Sequence, residues 1–412
     1  MISQDTINAI LDRADIVSLV REYVPELTKR GANWTCCCPF HKEKTPSFHV
    51  SPARQTWHCF GACAEGGNAI SFVMKAEGMT FPQAARHLAQ RYGIDCYEAE
   101  EPDGEREERL HREALWGVNE RAAKFYAEQL HDPANASALA YAQERFGAEY
   151  VAEAGLGFAP ASGRALCDHA MARGENIDLL LELNLVARNE QRGTYYDFYR
   201  NRLVFPIRDR YRRVLGFTAR DLSGSNECKY LNSKESAAYH KKESIYGIDE
   251  AWREAARQEL FFLVEGAPDA AKMHAAGIFN AVAPLGGAWT AEQMQMLKKG
   301  ADCVCFINDA DPPKEGEAYG AGIAYVMKNG RLALEHGFTV SVRELPLAEG
   351  NRKQDPGSFF TSKAQLGLLK EEEFVAWCAR KWWNEDDNVN RKAENITRIA
   401  DLASLIKDET RL

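Results

Sequence analysis

The chain has 412 residues, 45% of them hydrophobic, with a formal net charge of -9 at neutral pH. That length allows several domains and at least one large core, and the acidic balance argues against a protein that coats nucleic acid through bulk charge. No run approaches the roughly 20 consecutive apolar residues of a membrane span, and the start MISQDTINAILDR lacks a basic region followed by an apolar signal core. A cytosolic protein is expected, in which the eleven cysteines are metal ligands or buried thiols rather than disulfides.

In chain order, Ile7, Ile10 and Leu11, then Ile16, Leu19, Val20 and Tyr23, recur at helical spacing, with Asp15 placed to cap the second helix. The segments ANWTC, SFHV and QTWHCF read as short strands broken by Pro39, Pro46 and Pro52, followed by helices near 68–77 and 81–92. Together these predict a first domain over 1–97. The stretch EAEEPDGEREER is charged and poor in apolar residues, and reads as a linker over 98–112. Helical periodicity over 115–154 and strand-rich sequence over 195–247 predict a mixed subdomain at 113–250. From Leu260, the strands LFFLVEG, FNAVAPL, CVCFIND and TVSVREL alternate with helices near 267–276, 290–299 and 318–336. Strands spaced by crossover helices imply a parallel sheet, here spanning 251–360. A helical tail over 361–412 carries Ile396, Ile399, Leu402, Leu405 and Ile406 on one face. The expected class is α+β multidomain.

Two constellations carry chemistry. Cys38-Pro-Phe-His41 and Cys59-Phe-Gly-Ala-Cys63 supply two close-spaced ligand pairs about twenty residues apart. Zn(II) takes four N or S ligands in a tetrahedron, and a site filled entirely by protein is structural. Cys36 and Cys37 are alternatives to Cys38, but only Cys38 has the short spacing to His41; His58 is read as a surface imidazole. Lys42, Lys44, Arg54, Trp34, Phe48 and Trp57 surround the site. Cations mixed with rings suit a strand backbone and its unpaired bases, although Trp34 and Phe48 are read as core, and Trp57 suits either role.

The second constellation is acidic. Glu265 ends one strand, Asp269 follows it, Asp309 and Asp311 end another, and Asp355 follows the next. In an open parallel sheet, functional groups gather at the carboxyl ends of strands, and clustered carboxylates are suited to Mg(II) or Mn(II). Two such ions can stabilise the attacking and leaving oxygens of nucleotidyl transfer. Residues 191–244 add 12 Lys/Arg against 6 Asp/Glu, either a solvated face or a stripe for phosphates.

The chain resembles the bacterial DnaG-type primases over roughly residues 5–360. CPFHKEKTPSFHVSP and HCFGACAEGGNAISF are similar to the family's zinc ribbon, YRNRLVFPIRD and KYLNS to its core subdomain, and EGAPDA with DAD to its Toprim fold. The resemblance implies one structural zinc on Cys38, His41, Cys59 and Cys63. It also implies two or more catalytic Mg(II) or Mn(II) ions on Glu265, Asp309 and Asp311 with Asp269 and Asp355 beside them, Glu265 serving alternatively as general acid or base. Arg145, Arg202, Arg220, Lys229 and Lys241 match basic positions of the template and nucleotide path, with Asn232 a hydrogen-bonding neighbour. The implied partners are single-stranded DNA, ribonucleoside triphosphates, a replicative helicase and single-strand-binding protein. A monomer in the cytoplasm, at the replisome, is expected.

The sequence departs from the family pattern in four places. The second zinc pair is spaced by three residues rather than two, Pro312-Pro313 and an insertion follow Asp311, and Gly357-Ser358 stand where another acid is common. The stretch after the Toprim-like region is expected to be too short for the family's helicase-binding domain, so that the chain either recruits its helicase differently or is a fragment. Other readings of the same motifs are a different Toprim enzyme, a topoisomerase or nuclease, and a non-catalytic template-binding accessory.

Overall fold

Short polar side chains delimit the N-terminal helices: Ser3 and Asp15 accept hydrogen bonds from the Thr6 and Ser18 N–H groups and start helices Gln4–Arg13 and Ile16–Tyr23. The structure, a computed structural model, describes residues 2–63, 65–96, 103–224 and 228–406. It divides into two units, 1–111 and 112–412.

In the first unit, five antiparallel strands follow one another in space as they do in sequence: β1 (Thr28–Arg30), β2 (Asn33–Cys36), β3 (Phe48–Ser51), β4 (Thr56–Cys59) and β5 (Gly66–Gly67). Two-residue alternation turns Phe48 and Val50 of β3, and Trp57 and Cys59 of β4, inward, while His58 faces solvent. Helices Ala69–Glu77 and Phe81–Tyr92, capped by Asn68 and Thr80, cover them. Phe40, Phe48, Trp57 and Phe72 pack ring on ring, the Phe48 and Trp57 centroids 5.2 Å apart. Trp57 is therefore core. It is 3% exposed, and its Nε1–H donates to the Asn68 carbonyl at 3.2 Å and the Ser71 hydroxyl at 3.3 Å, so its ring is closed to bases.

The expected linker is only partly within the described residues. Positions 98–102 lie outside them, and 103–112 belong to helix Asp103–His131. The charges there favour helix rather than coil because opposite signs recur four residues apart, as in Glu108 with Arg112 and Arg109 with Glu113.

The second unit holds two main sheets. The first is antiparallel, ordered β11-β10-β9-β6, from β6 (Gly157–Ala159), β9 (Arg202–Arg208), β10 (Val214–Asp221) and β11 (Tyr230–Asn232); β7 (Val186–Asn189) and β8 (Thr194–Asp197) form a separate hairpin. The second is ordered β12-β14-β13-β15-β16-β17, from β12 (Ile245–Tyr246), β13 (Leu260–Leu263), β14 (Ala281–Pro284), β15 (Cys303–Phe306), β16 (Thr339–Arg343) and β17 (Glu371–Glu373). Its four inner strands run parallel, as the alternation of strand and helix predicts, and both edge strands are antiparallel. The inner strands are buried on both faces. Phe262, Val264, Cys305 and Ile307 enter one core with helix Ala267–Ala275, and Phe261, Leu263, Val304 and Phe306 enter another with helices Ala291–Lys298 and Ala321–Glu335.

The expected tail is not separate from this sheet. β17 pairs with β16, helix Phe374–Trp382 buries Phe374, Trp377 and Cys378, and helix Val389–Ser404 seats Leu402 and Ile399 in the second core. Ile396, expected on the apolar face, is exposed instead.

Because Trp57 fills the first unit's core, Trp57→Ala should cost about 3–5 kcal/mol of stability. Phe60→Ala, which removes a ring that is 71% exposed, should stay within about 0.5 kcal/mol. Chemical denaturation of the full chain measures both.

Candidate functional site

The ribbon gathers one cluster of metal-ligand atoms. The donor atoms of Cys38, His41, Cys59 and Cys63 all lie within 4.8 Å of one another, with Cys38 Sγ 3.7 Å from Cys63 Sγ and Cys59 Sγ 3.8 Å from His41 Nδ1. The Cys59 Sγ accepts the Gly61 N–H at 3.3 Å. This donor set fits a tetrahedral zinc ligated through His41 Nδ1. The three-residue spacing of the second pair is accommodated. Cys36 and Cys37 stand outside the cluster: burial pushes the Cys36 thiol up to about 12, and Cys37 is exposed.

Sequence inspection missed the residue that organises this loop. Glu43 Oε2 lies 3.1 Å from His41 Nε2, and its Oε1 accepts the Cys38 N–H at 2.6 Å, the Ser47 N–H at 3.2 Å and the Ser47 hydroxyl at 2.7 Å. Burial opposes its charge, but these hydrogen bonds hold the Glu43 carboxyl below its usual range. A carboxylate behind a metal-binding imidazole fixes the tautomer and the ring. Its place two residues after His41 was the available signal.

At the carboxyl edge of the parallel sheet, Glu265, Asp269, Asp309, Asp311 and Asp355 lie near enough to act on one another's charge. Glu265 follows β13 and Asp309 follows β15, and two hydrogen bonds, Ala310 N–H to Gln354 O at 2.8 Å and Gln354 N–H to Ala310 O at 3.0 Å, tie the Asp309–Asp311 turn to the segment holding Asp355. Helix Ala321–Glu335 approaches so closely that a Cβ on Gly322 would lie 2.0 Å from the Asp309 carbonyl and 3.4 Å from Glu265 Oε1; on Gly320 it would lie 2.0 Å from the Asp311 carbonyl. Glycine is required at both positions by this backbone contact. The insertion after Asp311 thus returns the chain to the aspartate it left, and Tyr319 anchors it by donating to the Lys381 carbonyl at 2.9 Å. Asp269, Asp355 and Arg145 converge on Gly357, whose added Cβ would lie 3.2 Å from Asp269 Oδ1, 3.3 Å from Asp355 Oδ1 and 3.5 Å from Arg145 Nη2.

The electrostatics are those of crowded, partly buried carboxylates. Burial and then Asp309 raise the Glu265 carboxyl; burial, Asp309 and Asp355 push Asp269 up to about 8; burial raises Asp309 against the pull of Lys353. Asp309 Oδ1 is buried without a hydrogen-bond partner, and the Asn308 amide beside Glu265 pulls that carboxyl back down. Crowded, unsatisfied oxygens fit one or more hard divalent cations. Lys353 and Asn308 were not foreseen.

The basic positions separate into two groups. Arg220 donates to the Tyr230 hydroxyl at 3.0 Å and lies over the Tyr141 ring, and the exposed Lys229 lies over Tyr230. Tyr230 feels Arg220, Arg145 and Asp269, so these groups share a surface beside the acids. Lys241 lies along Gly286, and Asn232 donates to the Leu285 carbonyl at 2.9 Å, both at the carboxyl end of β14. Arg202 is different. It is 4% exposed, and its guanidinium donates to the Ala219 and Cys228 carbonyls at 3.2 and 3.1 Å, which closes the loop between β10 and β11 rather than facing a ligand.

A family model of the CHC2 zinc finger matches residues 2–103, one of the DNA primase catalytic core N-terminal domain matches 125–252, and a Toprim-like model matches 262–359. The DNA primase of Pseudomonas aeruginosa is 37% identical over 375 residues, covering 89% of this chain and 54% of that protein. The DNA primase of Staphylococcus aureus is 35% identical over 348 residues, covering 84% and 56%. The chain spans about half the length of these curated relatives. The zinc-binding and RNA polymerase domains of Aquifex aeolicus primase are similar with a TM-score of 0.60 at 30% identity, over 98% of this chain and 94% of that one. A DnaG primase catalytic domain bound to single-stranded DNA is similar with a TM-score of 0.62 at 28% identity, over 73% and 96%.

Removing the carboxylate behind His41 should loosen the metal without deleting a ligand. Glu43→Ala is expected to weaken zinc binding roughly 10- to 100-fold, whereas Cys59→Ser should lose it. Chelator competition with elemental analysis distinguishes these outcomes.

Proposed function

Because the chain belongs to the family of bacterial DnaG-type primases, we propose that it is a nucleotidyltransferase that synthesises short RNA primers on single-stranded DNA from ribonucleoside triphosphates. The observation that carries the reading is the convergence of Glu265, Asp309, Asp311 and Asp355 at one sheet edge beside the Arg145, Arg220 and Lys229 surface. It joins a cation site to a place for phosphates.

In this reading Glu265, Asp309 and Asp311 hold divalent cations, with Asp269 and Asp355 beside them. Mg(II) or Mn(II) supplies neutralisation of the charge that develops on the transferring phosphoryl group and activation of the primer hydroxyl. Glu265 serves alternatively, in place of holding a cation, as general acid or base. The hydroxyl attacks the α-phosphorus, and pyrophosphate leaves. Arg145, Arg220, Lys229 and Lys241 neutralise phosphates of template and nucleotide, and positioned cations of this kind set register more than sequence. The zinc ribbon presents the template, its solvent face offering Phe60 flanked by His49 and His58 for a base to stack on. A replicative helicase and single-strand-binding protein at the replisome are the expected company of such an activity.

Short labelled RNA should appear when the protein is incubated with single-stranded DNA, Mg(II) and ribonucleotides, and should vanish in Asp309→Ala. Supercoil relaxation or nicking in place of incorporation would overturn the reading. On the basic surface, Lys229→Ala should weaken binding to all single-stranded sequences alike. It should also lower the slope of log affinity against log salt by about one ion, measured by fluorescence anisotropy across a salt series.

A further inference from the structure

The acids at the sheet edge already hold a cation that belongs to the chain. Lys353 Nζ stands 2.6 Å from Asp309 Oδ2 and 2.9 Å from Asp311 Oδ1, while its side chain remains 54% exposed. The two hydrogen bonds between Ala310 and Gln354 set this arrangement, because an antiparallel bridge at that pair puts Lys353 across from Asp311 and Asp355 across from Asp309. The lysine is thus built into the register of the site rather than drifting onto it from a distant loop.

An ammonium between two carboxylates occupies the same oxygens that a hard divalent cation requires, and the two cannot bind them together. We propose that Lys353 is a tethered competitor for the divalent cation: it bridges Asp309 and Asp311 in the metal-free protein and is displaced into solvent when the metal binds. The flexible four-carbon stem and the exposure of the side chain permit that movement. Two neighbouring carboxylates repel each other in the absence of a counter-charge, so the bridge also offsets that repulsion before metal arrives.

The inference rests on the proposed function only in placing divalent cations on these acids. Its signature is an apparent metal affinity scaled down to the fraction of molecules in which the lysine is disengaged. For a half-exposed ion pair of ordinary strength the reduction is roughly fivefold. The test is a Mn(II) titration of the full chain, followed by electron paramagnetic resonance of free Mn(II), for wild type, Lys353→Met, Lys353→Arg and Asp309→Asn. Lys353→Met should bind Mn(II) roughly fivefold tighter, Lys353→Arg should bind as wild type does, and Asp309→Asn should bind weakly. Metal-free Lys353→Met should also melt below wild type, with the gap closing at saturating Mn(II). Equal or weaker Mn(II) binding by Lys353→Met would overturn the competition while leaving the cation site standing. Mn(II) binding that is absent from wild type, or unchanged in Asp309→Asn, would overturn both the site and the competition.

Discussion

Like charges crowded at one edge of a buried sheet are the constraint around which the second unit is arranged. Glu265, Asp269 and Asp309 are all raised by burial, and each feels at least one neighbouring carboxylate. Such a group is tolerable only when counter-charge is close and the backbone beneath it is rigid. The rigidity comes from parallel strands buried on both faces. It is reinforced by glycines that let helix Ala321–Glu335 press against the Asp309 and Asp311 backbone. The counter-charge comes from Arg145 and Lys353 and, under the proposed activity, from divalent cations.

The ribbon solves a smaller version of the same problem. Its four donors sit over a core of a few aromatic rings, and one carboxylate, Glu43, holds the imidazole, the Cys38 amide and Ser47 in one arrangement. In both places the residues suited to hold a metal are motif residues, and the residue that steadies them is a neighbour whose type alone says nothing. Outer groups of this kind decide how well the inner ones are aimed.

The legibility of the chain follows from that division. Strand and helix alternation after Leu260 was readable because each parallel strand is short, apolar and bounded by a helix of ordinary length, and the acids lie where such strands end. The zinc ligands were readable because their spacing is local. Residues whose roles depend on distant partners were not. Trp57 and Arg202 look like nucleic-acid contacts by type, yet one packs against Phe48 and the other satisfies carbonyls across a hairpin. Lys353 is unremarkable in sequence because its meaning lies in the backbone bridge between its neighbour Gln354 and Ala310, which no periodicity announces. The edge strand β17 was hidden for the opposite reason: EEE has no strand propensity of its own, and pairing with β16 with Arg343 beside Glu371 makes it one.

That edge strand alters where the second unit can be cut. Tyr319 leans on the Lys381 carbonyl, and Phe374 fills the space beside Gly330 on the helix that abuts the aspartates. A shortened version ending near residue 360 would keep every motif residue yet strip one flank from the sheet and release the insertion from its anchor. The smallest autonomous piece of this half must run at least through Trp382, so a truncation designed on motif boundaries alone would retain the chemistry on paper and lose the scaffold that aims it.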